Sequence, residues 1–348
     1  MTTAMLAARR IGRQTTRLET PPSIGTWASV AGEMEAAGPL ADGFDQSYPM
    51  AEIATLGPTF EQAEAGLLKE AITRAVGKAG RSPGDVDRLF AGDLLDQLVT
   101  TSFTALALDM PLLGVYGACS TSAESILLAA TFVACGACDL AMAATASHHL
   151  AAERQYRYPI EAGVQRTPTA QWTATGAAAF LVSREGPGPF VSAYTSGIPT
   201  TKGVTDVNNM GAAMAPAAAE TIATHLSAMG ADPEDYDVIL TGDLGIVGHQ
   251  LCRGLLAERG VRLDPDRFKD SGLLLYDRQK QDVHAGGSGA ACSALGLASY
   301  LLPRLAGGEV HRALLVATGS LHSPTTSQQG LVIPGIAHAV EFIGGGSA

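Results

Sequence analysis

The sequence predicts an α/β fold made of two duplicated βαβαβ-type halves, and three observations carry that expectation. First, Gly80-Arg-Ser-Pro-Gly-Asp-Val-Asp-Arg-Leu-Phe-Ala-Gly-Asp-Leu reads onto Gly230-Ala-Asp-Pro-Glu-Asp-Tyr-Asp-Val-Ile-Leu-Thr-Gly-Asp-Leu. Gly80 thus matches Gly230, Pro83 matches Pro233, Asp87 matches Asp237 and Asp93 matches Asp243. Second, Ala118-Cys119-Ser120 matches Ala291-Cys292-Ser293, and the register holds to Ala144-Thr145 and Ala317-Thr318, with His149 opposite His322. Third, short apolar runs alternate with longer helical patterns, which places helices on both faces of sheets. Two long matches in the same order mean a duplicated domain, and the sites of such proteins commonly lie where the halves meet.

The elements follow in order. Residues 1–57 show weak periodicity and many turn formers, and they read as an extended arm with one short strand. The first half, 58–189, opens with a helix over Phe60–Ala79, whose apolar side is Phe60, Ala63, Leu67, Leu68, Ala71 and Ala75 and whose stop is Gly80. Ser82-Pro83 is a cap followed by proline. Strands are predicted at Arg88–Gly92 and Pro111–Tyr116, a buried helix over Ser122–Cys135, and strands at Leu140–Ala144 and Gly176–Val182. Gly186-Pro-Gly-Pro is the hinge to the second half, 190–348. There a helix is predicted to start at Pro216 and run to Met229, then a strand at Val238–Thr241, a helix over Cys292–Leu305 and a strand at Ala313–Ala317.

A chain of 348 residues holds one large core or two fused lobes. A formal charge of -11 argues against sequence-independent binding of nucleic acid. Five cysteines and no secretory pattern in Met1–Arg13 fit reduced thiols in a cytosol-like compartment. The most apolar run, Ile126–Ala146, contains Gly136 and Asp139 and reads as helix, turn and strand rather than a membrane span. Cys135-Gly-Ala-Cys138 lacks the second pair that structural zinc needs. Gly286-Gly-Ser-Gly lacks the context of a dinucleotide or phosphate loop. Asp93 and Asp243 each follow a strand and a glycine and are expected to cap the next helix. Asp93 and Asp96 are too few for a calcium site. No metal or cofactor is therefore expected.

Cys119 follows an apolar strand and precedes a helix. A thiol there meets the positive end of the helix dipole, which favours the thiolate and suits a nucleophile for thioesters. It equally suits a small buried space-filler. Downstream, Ser147-His-His-Leu-Ala-Ala-Glu-Arg-Gln-Tyr-Arg-Tyr-Pro holds His148, His149, Arg154, Tyr156, Arg157 and Tyr158, with Arg166 close behind. Arginine forks suit carboxylates and tyrosine rings suit a flat aromatic. The same arginines could instead hold halves or subunits together by ion pairs. His148, His149, His284 and His322 follow strands or loops at matching ends and are expected to converge on one pocket.

Several unbroken motifs carry a resemblance. They are Ala91-Gly-Asp-Leu-Leu-Asp-Gln, Gly117-Ala-Cys-Ser-Thr-Ser-Ala-Glu-Ser, Ala151-Ala-Glu-Arg-Gln-Tyr-Arg-Tyr-Pro, Met210-Gly-Ala-Ala-Met-Ala-Pro-Ala-Ala and Ala285-Gly-Gly-Ser-Gly-Ala-Ala-Cys-Ser-Ala. The chain resembles the thiolase and ketoacyl-synthase superfamily and, within it, the stage V sporulation protein AD family, from about Gly38 to Phe342. The resemblance implies a thiolase-like fold, a layered α-β-α-β-α sandwich. It implies non-catalytic binding of dipicolinic acid (pyridine-2,6-dicarboxylate), with or without calcium, for uptake into the developing spore. It also implies membrane channel subunits as partners, a cytoplasmic place peripheral to the forespore or spore inner membrane, and a homodimer. The ligand-contact residues expected are Cys119, His148, His149, Arg154, Tyr156, Arg157, Tyr158 and His284. The alternative is an acyl-thioester condensing enzyme with Cys119 as nucleophile and His284 as its partner. Against it, Gly242-Asp243-Leu244 stands where synthases tend to carry histidine, and Gly335 stands nearest to the second cysteine of degradative thiolases.

Overall fold

A computed structural model describes residues 7–156 and 165–345. The first half builds β1 (Ser23–Gly32), β2 (Arg88–Gly92), β3 (Leu112–Gly114), β4 (Leu140–Ser147) and β5 (Gly176–Ser183). The second builds β6 (Phe190–Thr195), β7 (Val238–Thr241), β8 (Phe268–Asp270), β9 (Arg312–Ser320) and β10 (Gly335–Ile343). The orders are β3-β2-β4-β5-β1 and β8-β7-β9-β10-β6, one topology drawn twice. In each half the second strand lies parallel to its two neighbours, and the other pairings are antiparallel. A single pair, Phe190 with Ser23, joins the two sheets edge to edge.

Five layers result. Helices α1 (Phe60–Lys78) and α2 (Val99–Leu108) cover the outer face of the first sheet. Helix α3 (Thr121–Ala134) lies between the sheets, beside α7 (Ala290–Gly296), which continues through a π-helical turn to Ala306. Helices α5 (Met210–Met229) and α6 (Gly245–Glu258) cover the outer face of the second sheet. The short α4 (His149–Tyr156) follows β4.

The repeated residues have repeated jobs. Gly80 and Gly230 end α1 and α5 at φ of +66° and +61°, a region that glycine enters without strain. Ser82 with Asp85, and Asp232 with Asp235, form matching capping boxes. Asp87 accepts the backbone N–H groups of Asp139 and Leu140 where β4 begins. Asp237 does the same for His311 and Arg312 where β9 begins.

Two expectations are corrected. Within the segment expected as an arm, residues 7–57 belong to the fold: β1 pairs with β5 from Ser23–Ser183 to Ala31–Gly176, and Thr15–Leu18 pairs with β6. Small residues buried on both faces of β1, such as Ala28 and Ala31, leave no alternation to read. The helix expected at Pro216 starts at Met210, because Asn209 accepts the Ala212 N–H and supplies the cap.

Buried charge in the core has two fates. Glu341 on β10 accepts from Tyr236 Oη at 2.6 Å, Ser192 Oγ at 2.7 Å, Arg312 Nη2 at 2.8 Å and His225 Nε2 at 3.3 Å. Burial alone would raise its pKa, but these donors outweigh it and hold it to about 2. Glu64 on α1 has neither carboxyl oxygen partnered, and burial followed by the charge of Asp93 pushes its pKa well up.

Because the pKa of Glu341 is depressed, its contribution of roughly 3 kcal/mol is present above the ordinary glutamate range and is lost as pH falls toward 2. Urea unfolding of wild type and Glu341→Gln should therefore differ most at pH 7, with less than half of the gap left at pH 3 and the rest closing toward pH 2. Glu64→Met should raise stability by roughly 1 kcal/mol or more, since it removes an unpaired buried acid. A thermal melt in which Glu64→Met unfolds earlier than wild type would contradict this reading.

Candidate functional site

A cavity lies between the halves, beyond the carboxyl ends of the parallel strands, with about 560 Å³ of non-atom space that is partly open to solvent. The first half supplies Leu94 after β2, Cys119 before α3, and Ala152 and Tyr156 on α4. The second supplies Met210 at the start of α5, Ser288 before α7, and Ser320 and His322 at the end of β9. An outer groove formed by Leu95 to Leu98, Tyr116, Leu321, Ser323 and Thr326 shares Tyr156 and His322 with the cavity.

Cys119 sits on the floor. Ala118 before it holds φ at +51°, a left-handed turn that costs a non-glycine residue energy. A Cβ on Gly319 of β9 would fall 2.2 Å from the carbonyl oxygen of Gly117, so glycine alone lets β9 approach the cysteine turn. The sulfur of Cys119 lies 3.7 Å from Ser288 Oγ, which donates to Asp243 Oδ2 at 2.9 Å. Gly289 N–H reaches the same oxygen at 3.1 Å, and Thr318 Oγ1 donates to Asp243 Oδ1 at 2.7 Å. Ser293 Oγ donates to the carbonyl of Cys119 at 3.3 Å.

Of the two readings of Cys119, a thiolate or a buried thiol, the surroundings favour the buried thiol. Burial pushes the Cys119 thiol well above its ordinary range, and the negative charge of Asp243 adds to the effect. Both outweigh the helix dipole, and the thiol stays protonated at neutral pH. Asp243 is itself raised by burial, against the donors Thr318, Cys119 and Ser288 and the Gly289 N–H.

The convergence of histidines is also corrected. Among the described residues, only His322 of the four lines the cavity. His148 is stacked on Phe60 at 5.6 Å, and burial lowers its pKa to about 4. His149 is stacked on Trp172 at 3.6 Å. His284 sits 2.9 Å from Asp282 and donates Nδ1–H to the carbonyl of Thr167 at 2.6 Å, away from Cys119. Arg154 pairs with Glu61 and lies over Phe60. The spacing on α4 explains this: Ala152 and Tyr156, four apart, share the cavity face, and Arg154 between them points elsewhere. Tyr156 Oη donates to the Leu94 carbonyl at 2.7 Å and meets Tyr116 Oη at 3.0 Å. Arg166 pairs with Asp282 and stacks on Trp172. Arg157 and Tyr158 lie outside the described residues.

Sequence reasoning missed Ser288, Ser320 and Met210 as cavity residues, and it assigned Asp243 as a helix cap. Asp93 does cap, accepting the N–H groups of Leu95 and Thr101. At α6 the capping carboxylate is Asp270, which accepts from Leu244 and Gly245, and Asp243 is left to face the cavity floor. No group of three metal-ligating side chains exists among the described residues, and none of their helices is long and apolar enough to cross a membrane.

Comparison with known proteins agrees with this geometry. Among solved structures, the chain is similar to a 3-oxoacyl-[acyl-carrier-protein] synthase III from Aquifex aeolicus, with a TM-score of 0.58 at 12% identity over 92% of this chain and 99% of that one. It is similar to OleA from Xanthomonas campestris, with a TM-score of 0.58 at 14% identity over 93% of this chain and 98% of the other. These likenesses establish the thiolase-like fold. The chain is 42% identical to stage V sporulation protein AD of Bacillus subtilis over 338 residues, covering 97% of this chain and 98% of that protein. The family model of stage V sporulation protein AD matches residues 12–343, and the chain belongs to that family.

Proposed function

We propose that this protein binds dipicolinic acid in the cavity between its halves, without catalysis, and delivers it to membrane channel subunits for uptake into the developing spore. The observation that carries this reading is the state of Cys119. It keeps the nucleophile's place, but its side-chain partners are Ser288 and Asp243, and its thiol is held in the protonated form. A condensing enzyme needs a base beside the thiol and a thiolate at working pH.

The cavity supplies what a small aromatic acid needs. Tyr156 offers a ring face, and Leu94 and Ala118 offer apolar surface. Helix α5 begins at its wall with Met210, and its N-terminal end favours an anion. We assign the counter-charge to Arg157, which follows Tyr156 in sequence and whose planar fork suits a carboxylate. Calcium enters, on this reading, with the ligand.

The same reading takes the membrane subunits as the reason for a place at the forespore membrane. It takes a second copy of the chain as the cover for the open edge of β3. Phe103, Leu106, Leu113 and Tyr116 are exposed along that edge, with Leu106 at 76%. The second reading, a thioester-condensing enzyme, is favoured by the synthase-like fold and by the retained Cys119.

Calorimetric titration separates the two readings. Dipicolinate should bind wild type and Cys119→Ala within about threefold of one another, and Arg157→Ala should weaken binding by roughly tenfold or more. Acylation of Cys119 by acetyl-coenzyme A, with silence toward dipicolinate, would restore the enzyme. Light scattering should find a dimer in wild type and a monomer in Leu106→Asp, and a monomeric wild type would remove the second copy from the proposal.

A further inference from the structure

The floor of the cavity carries a buried acid that the binding reading does not use. Asp243 is fully buried, and its contacts are with neutral groups. Gly289 N–H can only donate, and it occupies Oδ2. Thr318 Oγ1 accepts the Asp243 N–H at 3.3 Å, so its own proton goes to Oδ1. Both carboxyl oxygens are therefore used as acceptors, as a carboxylate uses them. Ser288 spends its hydroxyl proton on Asp243, and the thiol proton of Cys119 has the Ser288 oxygen and Asp243 as its acceptors. What Cys119 and Ser288 then turn toward the cavity is lone pairs rather than protons.

We infer that Asp243 sets the orientation and the selectivity of the ligand. Carboxylates are turned away from the floor, so a ring acid lies with a carboxylate-free edge on Cys119 and all its carboxylates toward the mouth. The inference rests on the dipicolinate reading above. A carboxylate touching Ser288 would stand about 6 Å from the charge of Asp243. At an effective dielectric near 20, that repulsion is worth on the order of a hundredfold in affinity. Dipicolinate avoids it, because both carboxylates and the ring nitrogen share one edge and the opposite edge is C–H. That edge meets Leu94, Ala118 and Cys119, and the chelating edge faces Tyr156 and His322 at the mouth. There it remains open to a divalent cation. Pyridine-2,5-dicarboxylate has its acids at opposite ends, so with one acid at the mouth the other is driven onto the floor.

The test is calorimetry of wild type with the 2,6- and 2,5-dicarboxylates and with 5-carbamoylpyridine-2-carboxylate, which keeps the shape of the 2,5-isomer with a neutral end. The 2,6-isomer should bind on the order of a hundredfold more tightly than the 2,5-isomer, and the carbamoyl compound should recover at least tenfold of that loss. Asp243→Asn should admit the 2,5-isomer at least tenfold better relative to the 2,6-isomer. The carbamoyl arm decides the matter should that variant not fold. Equal binding of the two isomers, or a carbamoyl compound no better than its acid, would overturn the inference and leave the dipicolinate reading standing. Failure of wild type to bind the 2,6-isomer at all would overturn both.

Discussion

The geometry of the cavity depends on how closely two backbones approach. Gly319 on β9 lies against the carbonyl of Gly117, and a Cβ on Gly92 would fall 2.0 Å from the carbonyl of Val115. Side chains at these places would push the strand ends apart by more than a hydrogen bond can span. With the approach made, polar side chains cross from half to half: Ser122 Oγ to Ser293 Oγ at 2.7 Å, Ser293 to the Cys119 carbonyl, and Cys119 through Ser288 to Asp243. An alanine at Gly319 would press on the Gly117 carbonyl, two residues before Cys119, and so strain this set of bonds. The cavity is thus a consequence of packing first and of chemistry second.

Duplication supplied the frame, and the site lies where the copies stopped agreeing. Asp93 and Asp243 share a place in the repeat, yet one caps α2 and the other underlies the cavity. His149 and His322 share a place, yet one is stacked on Trp172 and the other lines the cavity. The residues that kept one job in both halves, Gly80 and Gly230 or Asp87 and Asp237, are far from the floor and serve turns and strand starts. A position held equal by both copies reports what folding needs. A position that differs in its contacts reports what one half was free to do.

Much of this was legible in the sequence, and the failures have physical causes. The repeat and the apolar runs yielded Arg88–Gly92 and Val238–Thr241 with their bounds, because short parallel strands buried on both faces are apolar throughout. Strand β1 escaped, since alanine, serine and glycine fill it and carry no periodic contrast. Cys119 and Tyr156 were placed in the cavity from their neighbours in sequence. His148, Arg154 and His284 were expected there too, but chain proximity does not tell which face of a helix a side chain takes.

Ser288 and Asp243 could not be weighted properly from sequence, because their role arises from contact with Cys119, 169 residues away from Ser288 along the chain. That contact also decides between two opposing influences on the thiol. A cysteine at a helix start gains a fraction of a charge's attraction. A cysteine buried beside a buried carboxylate loses more, since both desolvation and repulsion oppose the thiolate. The sequence pattern shows only the first influence. Burial, reinforced by the Asp243 that the fold brings to the floor, is what keeps the thiol protonated.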